Sequence, residues 1–124
     1  MVSEVDLDKR IPQDDYGLYK YVCAKYTEQS KNIYDLIIFG ICGKYEDYLY
    51  RFISNSIIKN LLKLPIVIMQ NSYFDYLYME DLYGVIEYFI DHKPKYHRYN
   101  VTTGKRIDLI TLAKIINGLG SFKS

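Results

Sequence analysis

The chain has no tryptophan, two cysteines, two histidines and three prolines in 124 residues, and its formal net charge is only +1. Each scarcity removes a class of function. Cys23 and Cys42 stand far apart with no second Cys or His beside either, which argues against a disulfide scaffold and a zinc ribbon. With no signal-peptide pattern, the thiols read as reduced and the protein as cytoplasmic. His92 and His97 flank Lys93-Pro94-Lys95 without Cys or carboxylate partners at ligand spacing, so no metal site is expected. A near-neutral charge gives no field to collect a polyanion, so neither nucleic acid nor an anionic membrane is expected as a partner. A membrane span needs roughly 20 consecutive apolar residues. Here Lys63 and Pro65 cut the richest stretch into Leu61-Leu62 and Ile66-Val67-Ile68-Met69. With no internal repeat, low-complexity tract or linker, residues 1–124 are expected to form one soluble domain with its own core.

Tyrosine, by contrast, occurs fifteen times. Such amphipathic rings can line a sugar pocket or a subunit contact, although most are ordinary half-buried side chains. One of them opens the first clear helical signal. Pro12 precedes Asp14 and Asp15, either of which can cap a helix running to about Lys31. Leu18, Tyr21, Val22, Cys23 and Tyr26 recur on one face of it, a face that must pack on something. Four-residue spacing also puts the Tyr16 phenol and the Lys20 ammonium side by side. A phenol with a pKa of about 10 exchanges protons poorly at neutral pH unless a cation favours the phenolate. Tyr-x-x-x-Lys is therefore a workable acid/base pair for a sugar or alcohol hydroxyl. Spacing alone decides little, since Tyr21 and Lys25 repeat it.

Next, Tyr34 to Ile41 is an almost unbroken apolar run ending in Gly-x-x-Gly, the pattern of a strand buried on both faces. A helix followed by such a strand points to a parallel α/β sheet. The polar loop Gly43 to Tyr48 then lies at the carboxyl end of that strand, where open α/β sheets place ligands. Tyr50 to Lys63 reads as a second helix with Phe52, Ile53, Ile57, Leu61 and Leu64 inward. Pro65 ends it before a short strand, Ile66 to Met69. Tyr73 to Met79 is a further strand, Asp81 to Asp91 a third helix with Glu80 and Asp81 against its dipole, and Tyr96 to Thr102 a strand closing at Gly104. Lys105 to Asp108 is short and extended. Asp108 is a cap for a last helix, Ile110 to Asn117, which Gly118 and Gly120 stop.

Four stretches in this order resemble the carboxyl-terminal half of the extended short-chain dehydrogenase/reductases, the NAD-dependent epimerase/dehydratase family. They are Pro12-x-x-x-Tyr16-Gly17-x-x-Lys20; Phe39-Gly40-Ile41-Cys42-Gly43-Lys44-Tyr45-Glu46 followed by Arg51-Phe52-Ile53; Phe74-Asp75-Tyr76-Leu77-Tyr78-Met79-Glu80-Asp81-Leu82; and Tyr99-Asn100-Val101-Thr102-Thr103-Gly104 ahead of Leu109 and Leu112-Ala113. The resemblance covers essentially the whole chain. It implies an α/β fold: part of a Rossmann-type parallel sheet together with the small substrate-binding α/β region.

It further implies that Tyr16 is the catalytic acid/base, and that Lys20 lowers its pKa and holds the nicotinamide ribose. Arg51, Lys44 and Tyr45 are placed on the substrate side. Asp81 is implied to be structural, and Asn100 to stabilise the turn before Gly104. The substrate implied is a nucleotide sugar, with NAD or NADP as cofactor of the complete enzyme. The chain departs from the family pattern at Phe74, where many members carry Arg, and at Leu36-Ile37 and Gly40. It also holds no Gly-x-Gly-x-x-Gly or Gly-x-x-Gly-x-x-Gly between a strand and a helix, and no Ser or Thr at the family's distance before Tyr16. The expectation is thus a substrate-side fragment that binds no dinucleotide and turns over nothing alone, existing as a homodimer or paired with a missing amino-terminal half. A non-catalytic interaction or oligomerisation module derived from the same fold is the alternative. Sugar, nucleotide and reaction type stay open.

Overall fold

The computed structural model describes residues 11–120. In chain order these form α1 (Asp15–Gln29), β1 (Asp35–Ile38), β2 (Ile41–Cys42), α2 (Phe52–Leu61), β3 (Tyr73–Phe74), β4 (Leu77–Tyr78), α3 (Met79–Asp91), β5 (Arg98–Val101), β6 (Ile107–Asp108) and α4 (Leu109–Leu119). The fold is mixed α/β, with two parallel strand pairs and one antiparallel pair. Two compact units emerge. One joins the described residues up to Ile38 with Val85–Val101, and the other joins Phe39–Gly84 with the described residues from Thr102.

In the first unit, α1 begins where Asp14 turns extended (φ −87°, ψ 150°) and its carboxylate accepts the Gly17 N–H at 2.7 Å. A Cβ on Gly17 would stand 2.7 Å from Pro12 Cβ, so the cap needs glycine there. β1 and β5 run parallel, Asp35 opposite Arg98 through Ile38 opposite Val101. Arg98 fastens them to the helix: its guanidinium meets Glu28 of α1 at 3.2 Å and Asp35 of β1 at 3.3 Å. Phe89 fills the space beside the pair, 5.5 Å from the Tyr34 ring and 5.0 Å from that of Tyr99.

Two expectations fail in this unit. No residue of α1 is buried, and Leu18, Val22 and Tyr26 are exposed. β1 is only half-buried, ending in an exposed Ile38. The cause is common to both: among the described residues β1 has one partner strand, and a two-stranded pair offers too little apolar surface to cover a helix face.

In the second unit, β2 pairs with β4 in parallel register and β3 with β6 antiparallel. Two glycines permit the first pairing. A Cβ on Gly40 would sit 2.8 Å from the Asp75 carbonyl oxygen, and one on Gly43 2.7 Å from Met79 Cβ. Leu77, Leu82, Ala113 and Ile116 are buried here. The segment expected as one strand, Tyr73 to Met79, is two, because Tyr73-Phe74 pairs with β6 while Leu77-Tyr78 pairs with β2.

The inward face of α2 is also not the expected one. Ile57 and Leu61 are exposed, and the buried side chains are Ser56 and Asn60. Those small polar residues let α2 approach α4 closely: Asn60 Nδ2 donates to Asn117 Oδ1 at 3.0 Å, and Gly120 leaves the room that Asn60 fills. Ile66 to Met69 forms no strand. The chain leaves α2 through a left-handed Lys63 (φ 57°) and Pro65, finds no described partner edge, and exposes Met69 by 98%. α4 runs through Gly118 and stops at Gly120.

Candidate functional site

Helix α1 holds Tyr16 and Lys20 one turn apart. The Lys20 ammonium lies 5.7 Å from the centre of the Tyr16 ring, and Tyr16 is 72% exposed. Tyr21 and Lys25 repeat the same 5.7 Å spacing. What separates the pairs is commitment. Lys25 is tied to the Glu28 carboxylate at 3.2 Å, whereas Lys20 makes no ion pair with a described residue. Tyr16 and Lys20 are therefore both accessible, and the cation there is available to a second oxygen.

The other sequence-derived residues lie in the second unit, on the loop that follows β2. Gly43 accepts the Glu46 N–H at 3.3 Å, closing a turn in which Tyr45 has a left-handed φ of 71°. The Lys44 ammonium stands 5.1 Å from the Tyr45 ring centre. Asp47 then holds the turn that leads into α2: its carboxylate accepts the Leu49 N–H at 3.0 Å and its carbonyl accepts the Arg51 N–H at 3.0 Å. Arg51 is thereby the N-terminal flanking residue of α2, exposed and making no capping bond with its side chain.

Beneath this loop lies a group that sequence reasoning missed. Glu46 accepts a short hydrogen bond from the Ser54 hydroxyl. The Cys42 thiol donates to the Leu77 carbonyl at 3.6 Å. Partial burial, then the Glu46 and Asp81 carboxylates, push the Cys42 thiol above its ordinary pKa. Burial, then Glu46 and Cys42, do the same to the Tyr76 phenol. Both groups thus stay protonated further into the alkaline range than they otherwise would, near the Glu46 charge. The spacing of Glu46 and Ser54 crosses a loop and a helix start, so no periodicity exposes it in the sequence.

In the Asp75 to Asp81 segment, the carboxylate bonded to backbone is that of Asp75, which accepts the Thr103 N–H and hydroxyl, both at 2.8 Å. Asp81 sits in the first turn of α3. Asn100 lies within β5, opposite Ile37, and the turn at Gly104 (φ 73°) is held by the Thr102 hydroxyl accepting the Gly104 N–H at 3.2 Å. Among the described residues there is no cluster of His, Cys, Asp and Glu able to hold a metal ion, and no helix long and apolar enough to cross a membrane.

No family model and no curated protein matches the sequence. Solved structures do. The chain is similar to an NAD-dependent NDP-hexosamine 5,6-dehydratase of tunicamycin biosynthesis, with a TM-score of 0.67 and 14% identity over 84% of this chain and 35% of that one. It is similar to an epimerase from the methanogen Methanothermobacter thermautotrophicus, with a TM-score of 0.65 and 21% identity over 91% of this chain and 40% of the other. It is also similar to the UDP-N-acetylglucosamine 4-epimerase of Bacillus cereus, with a TM-score of 0.70 and 19% identity over 95% of this chain and 45% of that one. The chain therefore has the fold found in these enzymes, and spans less than half the length of each.

Proposed function

We propose that this chain is the substrate-side portion of a cytoplasmic NAD- or NADP-dependent enzyme that acts on nucleotide sugars. The observation that carries the reading is the fold, shared over most of this chain with a dehydratase and two epimerases. Accessibility of Tyr16 and Lys20 supports it, because a general base must reach the proton it takes. In this reading the Tyr16 phenol takes a proton from a sugar hydroxyl, the Lys20 ammonium stabilises the phenolate that results, and Arg51, Lys44 and Tyr45 hold the substrate.

The dinucleotide supplies a hydride acceptor when bound. The residues present fit only one end of it. Lys20 can donate to a ribose hydroxyl, but three of the four helix starts are unsuited to a pyrophosphate: carboxylates of Asp14 and Asp108 cap α1 and α4, and Glu80 and Asp81 crowd the first turn of α3, while the start of α2 behind Arg51, free of acidic residues, is the one this reading gives to the substrate. In this reading the rest of the cofactor site is supplied by other polypeptide. Titrating the full chain with nucleotide sugars, alongside a hydride-transfer assay with NAD and NADP, tests this. Binding without turnover is expected, and turnover by the chain alone overturns the fragment reading.

A second reading has an observation of its own. Leu18, Val22 and Tyr26 of α1 are exposed together, and a face of that kind drives association between copies. A non-catalytic oligomerisation module would self-associate through it.

A further inference from the structure

Two non-glycine residues among those described have a left-handed backbone, Lys63 and Tyr45. Lys63 has a local reason. It closes α2, where the Leu64 N–H reaches back to the Lys59 carbonyl at 2.8 Å and the Lys63 N–H to that of Asn60 at 3.1 Å, a helix ending that requires one such residue. Tyr45 has no comparable reason. The turn closed by Gly43 and Glu46 needs a positive φ that glycine adopts freely and a bulky aromatic residue resists. Among the described residues the compensation is slight: Tyr45 is 91% exposed, and its ring is met by the Lys44 ammonium, 5.1 Å over its centre. A resisted conformation that sends an aromatic ring into water marks a contact made with something else.

A ring face beside an ammonium suits a ligand that is planar and anionic at once. We infer that Lys44 and Tyr45 form a stacking contact for the nucleobase of a nucleoside diphosphate, with the base on the Tyr45 ring and the Lys44 ammonium beside the phosphates. The inference rests on the nucleotide-sugar reading above and specifies which residues meet the base. Stacking on an aromatic ring tolerates any base, so the contact selects for a nucleotide over a plain sugar phosphate.

The test is a titration of the full chain, labelled with carbon-13 on its tyrosine rings, with UDP and separately with inorganic pyrophosphate. UDP is expected to shift the Tyr45 ring signals, identified by their loss in Tyr45→Phe. Tyr45→Gly is expected to weaken UDP binding about tenfold or more, while Tyr45→Phe retains it. Lys63→Gly relaxes the other left-handed residue and should leave affinity unchanged. Pyrophosphate should bind more weakly than UDP and leave the Tyr45 ring signals in place.

Equal affinity for UDP and pyrophosphate, unchanged UDP affinity in Tyr45→Gly, or shifts confined to other tyrosines overturn this contact while leaving the nucleotide-sugar reading intact. Absence of any UDP binding removes both. Should Tyr45→Gly fail to fold, the ring shifts and Tyr45→Phe decide the matter.

Discussion

Cys42 and Cys23 are the same side chain with different prospects. Cys23 is exposed on α1, whereas Cys42 is half-buried, donates to the Leu77 carbonyl and faces the Glu46 and Asp81 charges. Burial and both carboxylates disfavour its thiolate, so its ionisation lies above the ordinary 9.0. The sign follows: stability linked to the neutral thiol is complete below the ordinary value and declines as pH rises through the elevated one. Iodoacetamide at about pH 8 should therefore modify Cys23 well before Cys42 in the native protein, with the two rates converging in denaturant. Equal native rates, read by peptide mass, would contradict the environment described for Cys42. Residue-scale chemistry was only partly legible in the sequence. Tyr16 and Lys20 are four apart on one helix, so their juxtaposition is local. The motif resemblance already favoured Lys20 over Lys25, and the tie of Lys25 to Glu28 became visible only as geometry. The Cys42, Glu46, Ser54 and Tyr76 group draws on β2, the loop, α2 and the segment before β4, and no local spacing encodes it.

At the level of elements, helix starts were the most legible feature, because a cap is a matter of three or four consecutive residues. Asp108 illustrates it. Its carboxylate accepts the Thr111 hydroxyl at 2.6 Å, the Thr111 N–H at 3.0 Å and the Asn71 amide at 3.2 Å, and its pKa is lowered to about 2. The side-chain bond to Thr111 is the largest cause. A lowered carboxylate pKa contributes stability that is present above its unfolded value, about 3.9, and lost as pH falls through about 2. Asp108→Ala should lower the melting temperature at neutral pH, and Asp108→Asn, which keeps the cap without the charge, should flatten the acid dependence below about pH 4. Identical acid profiles for parent and Asn variant, by circular dichroism, would rule this out. Strands were less legible. Tyr73 to Met79 alternates like one strand, yet its halves answer to different partners, and Ile66 to Met69 has β-branched character but no edge to pair with. On α2 the apolar period indicated Ile57 and Leu61, while close approach to α4 selected Ser56 and Asn60, since small side chains permit what large ones prevent.

For the whole molecule, the α/β class and the parallel pairing were legible from the helix-strand order, because a strand joined to a parallel neighbour requires an intervening crossover. Burial of α1 and β1 was not, since it depends on how many strands stand beside them. The exposed Leu18, Val22 and Tyr26 carry a consequence at this scale: sedimentation at rising protein concentration should show a dimer or larger species, which Val22→Glu should shift toward monomer. A strictly monomeric parent chain would count against the oligomerisation reading. The nucleotide-sugar reading is tested most directly by calorimetric titration of the full chain with UDP-N-acetylglucosamine. It predicts saturable binding, no NADH formation when NAD is added, and about tenfold or greater weakening in Arg51→Ala as a charged hydrogen-bond donor is lost. No saturable binding, or binding indifferent to Arg51, would contradict it.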